Sequence, residues 1–427
     1  MDVQYAAIFI FVAAYALIVT EKIHRTIVAL GAAMVLLFVG ILSQEKAIGY
    51  IDFNTIGLLI GMMIMVNVLS ETGLFHYLAI QAAQQVKARP VQLLFIFSSL
   101  TAICSAFLDN VTTVLLTVPV TFSITSRLQI SPKPFLVAQI LASNIGGTAT
   151  LIGDPPNIMI GSAVPALTFM AFLENLAPVC ILIFMVTVFL LALYYRHDLQ
   201  ADPLLRSQVM ELDAQSEIHH PLLLKKCLWV MALTMCLFMS HSLLHMETAT
   251  AALGGASLLL LLTARRDDLL LAKIFSRIEW TAIFFFAGLF ILVGALVETG
   301  VIRNMAEAMV AITGGSCAAA AMMLLWFGAI GSAFIDNIPL VATLIPLIKE
   351  MGQLGLGNVD SLWWALSLGA CLGGNGTLIG ASANVVVAGM AEQHGYKLSF
   401  LQYMKIAFPL MLLSIFISSL YIYFRYL

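Results

Sequence analysis

The sequence predicts an all-α polytopic membrane protein built from two inverted repeats, each with five crossings, one re-entrant hairpin and one unwound helix. Three observations predict it. Of 427 residues, 61% are hydrophobic and 10% charged, with a mean hydropathy of +1.00. A soluble domain carries roughly 25% charged residues, so polar side chains are too few to cover two or three soluble domains. Apolar runs of spanning length recur from end to end, and the second half repeats the first in one long register. Net charge is −3 with no basic, aromatic-interleaved stripe, which excludes nucleic acid as a partner.

The first run, near 3–20, is followed rather than preceded by charge (Glu21, Lys22, Arg25). A signal peptide has the reverse order, so this is read as the first crossing. Further runs lie near 26–43, 52–70, 92–108, 111–126, 134–146 and 176–195. The second half has runs near 228–244, 249–264, 279–298, 318–335, 338–351, 362–373 and 405–424. The polar stretch Arg196 to Lys226 reads as an aqueous linker. The first repeat is therefore placed at 1–195, the linker at 196–226 and the second repeat at 227–427. Segments 74–89 and 301–314 are amphipathic and follow spans, as helices lying along the interface do. The six cysteines sit far apart, none in a CxxC pair, which predicts small buried hydrophobes rather than a metal site or disulfide framework.

An offset of 227 residues aligns Glu71-Thr72-Gly73 with Glu298-Thr299-Gly300, Ser105-Ala106-Phe107 with Ser332-Ala333-Phe334, and Asp109-Asn110 with Asp336-Asn337. It also aligns Pro119 with Pro346, Gly146-Gly147 with Gly373-Gly374, Thr150-Leu151-Ile152-Gly153 with Thr377-Leu378-Ile379-Gly380, and Asn157 with Asn384. Upstream, Ala29-Leu30-Gly31 matches Ala252-Leu253-Gly254 at an offset of 223. If 92–126 and 318–351 are hairpins that enter and return, each half crosses five times. An odd number inverts the second half relative to the first. The charges agree: that topology puts every Lys and Arg on one side except Lys46, Arg303, Lys349 and Arg425. The positive-inside rule makes the rich side cytoplasmic and both termini external.

Asp109-Asn110 and Asp336-Asn337 each interrupt an apolar stretch of roughly 35 residues, where a carboxylate costs about 3 kcal/mol or more. At a hairpin tip the carboxylate can cap the second arm and meet the positive end of its dipole. Capping alone is the plainer reading. The mirrored pair favours a shared central site. The second signal is a pair of breaks, 146–157 and 373–384. Gly146, Gly147, Pro155 and Pro156 interrupt the first, and Gly373, Gly374 and Gly376 the second; a double proline ends a helix. Unwound backbone survives at membrane depth only inside protein or beside water, where freed carbonyls bind cations and half-helix N-termini bind anions. Asp154 has no acidic mate, since Ala381 occupies its mirror position. This asymmetry suggests proton coupling through an acid whose neighbours tune it; the alternative is a cap for the helix after Pro155-Pro156. The binding residues expected are Asp109, Asn110, Thr112, Thr148, Thr150, Asp154, Asn157, Asp336, Asn337, Asn375, Thr377, Ser382 and Asn384. Glu71 and Glu298 suit an interfacial role, and Cys371, beside the second break, could approach a thiophilic ligand. No enzyme motif or nucleotide fingerprint sits in a suitable context. No resident metal or cofactor is expected, only H+ or Na+ as coupling ion.

The strings SAFLDNVTTVLLTVP, GGTATLIGDPPNIMIGSA, SAFIDNIPLVATLIP and GGNGTLIGASANVV resemble the ion transporter superfamily. Within it they are most similar to the arsenical-pump and NhaD-type branch, near the P-permease subgroup. The resemblance covers nearly the whole chain. It implies a scaffold domain and a moving transport domain, a homodimer and an elevator motion. In the related dicarboxylate transporters the hairpin tips carry Ser-Asn-Thr, which binds sodium and a carboxylated substrate. Here Asp109 and Asp336 take the Ser position, Val111 and Ile338 the Thr position, and Thr150-Leu151 and Thr377-Leu378 replace Thr-Pro. Added acid suits proton coupling, with a cation or a neutral solute such as arsenite.

The leading expectation is a secondary active transporter exporting arsenite or antimonite against protons, with a cytosolic ATPase as a partner if it is an arsenite pump. The second is a Na+/H+ antiporter using Asp109, Asp154 and Asp336. A dicarboxylate or other anion transporter ranks below these because no Arg or Lys lies in the breaks. A passive channel comes last. The expected location is the bacterial inner membrane, in contact with lipid.

Overall fold

The computed structural model describes residues 3–20, 22–264, 267–357 and 359–427. Glu21, Arg265 and Arg266, which entered the charge pattern above, lie outside the described residues. Among the described residues the chain is helical throughout, with no strand. The first half contains α1 (Val3–Thr20), α2 (Arg25–Phe38), α3 (Gln44–Tyr50), α4 (Phe53–Ser70), α5 (Leu74–Gln85), α6 (Pro90–Phe107), α7 (Asn110–Arg127), α8 (Lys133–Thr148), α9 (Pro155–Ala163) and α10 (Phe169–Tyr194). A short helix α11 (Pro203–Met210) and a 3-10 turn at Ala214–Glu217 follow. The second half contains α12 (Pro221–Ser240), α13 (Thr248–Thr263), α14 (Asp268–Ser276), α15 (Trp280–Glu298), α16 (Val301–Ile312), α17 (Cys317–Phe334), α18 (Asn337–Gln353), α19 (Asp360–Gly373), α20 (Ser382–Gln393) and α21 (Phe400–Tyr426). Each helix from α1 to α10 thus has its mate eleven places later, and α11 alone is unmatched.

Helix starts follow the sequence. Ser43 caps α3 and Asp52 caps α4, accepting from the Asn54 and Thr55 amides, which satisfies donors a helix start leaves open. Pro90 opens α6, where a missing N–H costs nothing. By length and hydropathy α1, α4, α6, α10, α12, α15, α17 and α21 could each cross a membrane. At 14 and 16 residues, α2 and α13 are shorter. Some boundaries differ from the apolar runs. Helix α10 begins at Phe169, with Thr168 as its cap, and α12 begins at Pro221, inside the polar stretch, with proline at its first position.

The repeats interlock. Helix α4 packs on α13, and its mate α15 packs on α2. A Cβ on Gly61 would lie 2.6 Å from the Ala252 backbone, and one on Gly288 would lie 2.8 Å from that of Ala29. These are mirror positions, and small residues at both crossings let the backbones touch, as packing between membrane helices favours. The hairpins α6–α7 and α17–α18 pack within their own halves on α8 and α19, while α7 meets α20 and α18 meets α9 across the repeats.

Contacts agree with the inverted topology. Glu71 pairs with Lys273 and Arg277, all on the lysine-rich side, here the basic face. Glu298 pairs with Lys46 and accepts from Tyr50 at 3.2 Å, all on the opposite or far face. Lys46 and Tyr50 are the repeat mates of Lys273 and Arg277. The mouth of the first hairpin meets the linker, where Arg206 Nε donates to the Lys87 carbonyl at 3.1 Å. The hairpins therefore enter from opposite faces.

Candidate functional site

At the first tip, Asp109 caps α7. Its carboxylate accepts from the Thr112 amide at 2.9 Å and from the Thr112 hydroxyl at 2.5 Å. At the second, Asp336 caps α18 and accepts from the Ile338 amide at 3.1 Å. The residues after them reach a common target. Asn337 Nδ2 donates to both oxygens of Asp154 at 3.2 and 3.3 Å, and Asn110 Nδ2 approaches one of them at 3.5 Å. Asp154 is fully buried. Two tips from opposite faces thus converge on the acid that breaks the mirror symmetry.

The unwound stretches are shorter than 146–157 and 373–384. Helix α8 continues through Gly146 and Gly147 to Thr148, and α9 starts at Pro155. Gly146 does not break the helix. A Cβ there would sit 2.1 Å from the Ala102 carbonyl oxygen, and at its mate Gly373 2.5 Å from that of Ala329, so these glycines let α8 and α19 lie against the hairpin arms. Pro155 and Pro156 occupy the first turn of α9, where proline is tolerated. In the second half Gly373 ends α19, Gly374 and Gly376 form a 3-10 turn, and α20 starts at Ser382.

Most of the polar residues in these stretches are occupied by backbone. Asn157 Nδ2 donates to the Thr148 and Thr150 carbonyls at 3.0 and 2.9 Å, and Asn384 Nδ2 to those of Gly374 and Thr377 at 2.8 and 2.9 Å. Thr150 and Thr377 donate to the mirror carbonyls of Ala106 and Ala333, and Thr148 donates to that of Asn144. These bonds satisfy carbonyls that unwinding exposes, as burial requires. Asn144 Nδ2 donates to Asn375 Oδ1 at 2.9 Å and Asn384 Oδ1 at 3.0 Å. The mate of Asn144 is Cys371, whose Sγ lies 3.6 Å from Asn157 Oδ1.

A cavity of about 40 Å³ remains, bounded by Asp109, Asn110, Asp154, Pro155, Asn337 and Ser382 from the hairpins and breaks, and by Arg25, Met63, Glu279 and Phe286 from α2, α4 and α15. Of the expected binding residues, Thr112, Thr148, Thr150, Asn157, Asn375, Thr377 and Asn384 stand behind this wall. Asp336 faces a neighbouring cavity of about 330 Å³ with Arg25, Ser382, Ile18 and His24. That cavity lies at the basic-face ends of α1 and α2.

Arg25, Glu279 and Asn144 escaped the sequence reading. Arg25 counts toward the face-wide positive charge, yet its Nη1 donates to Asp336 Oδ2 at 2.5 Å and to Ser382 Oγ at 2.9 Å, and Ser382 donates to Asp336 at 2.9 Å. The absence of Arg or Lys from the breaks therefore does not leave the site without a cation. Glu279 was legible as the acidic mate of Asp52, and Asn144 as the second of two amides, after Gln139, in the apolar run 134–146.

Residues 15–369 match the family model described as the citrate transporter family, CitMHS. An uncharacterised transporter of Mycobacterium tuberculosis is 42% identical over 427 residues, covering 98% of each chain. The P protein of Mus musculus is 34% identical over 98% of this chain and 60% of its own length. The YdaH transporter of Alcanivorax borkumensis, a crystal structure described as revealing an unusual topology, superposes with a TM-score of 0.60 at 12% identity, covering 99% of this chain and 98% of that one. By the family model over most of its length and the identity across its whole length, the chain belongs to the CitMHS citrate transporter family of membrane transporters, within the ion transporter superfamily.

Proposed function

We propose that the protein is a cation–proton antiporter of the cytoplasmic membrane, in which a small cation such as Na+ and protons compete for Asp109, Asp154 and Asp336. The observation that carries this reading is the charge and size of the central cavity: three carboxylates, Asp109, Asp154 and Glu279, and one guanidinium, Arg25, around about 40 Å³. That volume is of the order of one water molecule, and carboxylate oxygens are hard ligands for hard cations. Asp154 takes the proton or the cation, and the two asparagines report its occupancy to both hairpins. The basic face is cytoplasmic by the positive-inside rule, which puts both termini outside, and the 330 Å³ cavity that reaches Asp336 from that face supports an inward-facing state. The hairpins with α8, α9, α19 and α20 form the moving domain of an elevator, and α2, α4, α13 and α15 the scaffold.

A second reading is favoured by Arg25, which a carboxylated or other anionic substrate could engage in the larger cavity, as the family's description suggests. Arsenite export draws only on the Cys371 sulfur near Asn157. Proteoliposomes separate them. Antiport predicts that external Na+ collapses an imposed pH gradient, read by a pH-sensitive dye, with saturation. Indifference to Na+, together with saturable citrate or arsenite flux, would overturn it.

A further inference from the structure

We infer that Arg25 is a tethered cation that occupies Asp336 in the unloaded carrier, and that a loading cation or proton must displace it before the hairpins can leave the basic face. This rests on the antiport reading above.

The ion pair joins the two parts that must separate. Arg25 opens α2, which packs on α15, whereas Asp336 caps the second arm of a hairpin. Arg25 and Ser382 line both cavities, so the guanidinium stands between the 330 Å³ space at the basic face and the 40 Å³ space at Asp154. It is held there on three sides: Asp336, Ser382 and the Phe285 ring, whose centroid lies 5.0 Å away. The pair is mostly buried, with side-chain exposures of 30% and 12%, so screening by water and salt is weak. A cation entering the inner cavity brings a like charge beside Arg25. A proton taken by Asp336 removes its partner. Either event weakens the tether.

The pair has no mirror image. In an inverted-repeat carrier the contacts of the opposite end state are the mirrors of these. The mates of Arg25, Asp336 and Ser382 are Thr248, Asp109 and Pro155. Threonine carries no charge and proline no donor, so only the inward-facing state is locked. An empty carrier would stay where it is, and antiport, rather than a one-way leak, would follow.

The test reads conformation in the absence of substrate. Paramagnetic labels carried on a non-natural ketone residue at the exposed positions Glu45 and Gln353 report the distance between α3 and the mouth of the second hairpin by double electron–electron resonance in nanodiscs. In low Na+ the wild type is expected to give one distribution. Arg25→Gln, and Asp336→Asn from the other side of the pair, are expected to raise a second distribution at least about tenfold, with Arg25→Lys close to wild type. A folded Arg25→Gln protein with the wild-type distribution, or an Arg25→Lys protein that shifts as far as Arg25→Gln, would overturn the tether. Adding Na+ or acid to the wild type should raise the same second distribution. Indifference to both, with Arg25→Gln still shifted, would keep the lock, overturn displacement by a cation and sink the antiport reading.

Discussion

At the scale of single residues, function turns on which polar groups remain available once backbone has been satisfied. Asn157 and Asn384 each spend their amide on two carbonyls of an unwound stretch. Asp154, in contrast, is met by side chains, the amides from the two tips and the Cys371 thiol, and can change its charge without dismantling a loop. Asp154→Asn keeps the shape and removes the ionisable group. It should cut proton-linked flux by about a hundredfold or more, the scale of a lost proton carrier, while the melting temperature stays near wild type; flux in proteoliposomes beside a thermal melt checks both. The acids were readable from sequence because a carboxylate in an apolar run has few innocent explanations. The threonines of the breaks were readable as polar but not as spent, since which carbonyls they face depends on the close approach of α8 to α6. Arg25 was hidden because its neighbours in sequence are loop charges, and only the fold carries Asp336 to it.

At the scale of helices, the two hairpins are mates in sequence but not in chemistry. Thr113, Thr117, Thr121 and Thr125 form one buried stripe along α7. Thr121 donates to Gln139 Oε1 at 2.9 Å, and Gln139 Nε2 donates to Thr101 Oγ1 at 3.2 Å. The mirror positions on α18 and α19 are Leu340, Leu344, Ile348, Gly352 and Leu366, with no polar side chain among them. Ser105 and Ser332 donate to the mirror carbonyls of Ser143 and Ala370 at 2.7 and 2.6 Å, so both hairpins are hydrogen-bonded to their partner helices, and the first adds the threonine–glutamine network of its stripe. Gln139→Leu should lower stability by about 1 kcal/mol, in line with side-chain hydrogen bonds inside membrane proteins. Leu366→Gln should lower it further, because the new amide finds no partner. Unfolding in a denaturing detergent series would rank the two. This asymmetry was present in the sequence yet invisible to a search for repeats, which registers matches and passes over differences.

At the scale of the whole molecule, the inverted architecture was legible from the 227-residue register and the charge bias, because both are statements about many residues at once. What neither revealed was that the halves exchange partners. Glu71 answers to Lys273 and Arg277 of the other repeat, and Glu298 to Lys46. Burial pushes the Glu71 carboxyl up, but the Lys273 hydrogen bond and the charges of Arg277 and Lys273 outweigh it and hold it below its usual range. A depressed folded-state pKa adds stability above the unfolded value, near 4.3, and that gain is lost as pH falls through the folded-state value. Glu71→Gln should therefore melt slightly below wild type at pH 7, by an amount that shrinks in high salt and vanishes in acid; melts at several pH values would show convergence or its absence. The crossing of α4 with α13 and of α15 with α2 also constrains how the chain is made. When the ribosome has released the first half, α2 and α4 stand in the bilayer with their glycine and alanine faces uncovered, and quality-control proteases meet an unfinished product. Residues 1–200 and 201–427 expressed from separate messages should each be degraded alone and accumulate together, which pulse-chase labelling would reveal; survival of either fragment by itself would mean that half a scaffold can stand.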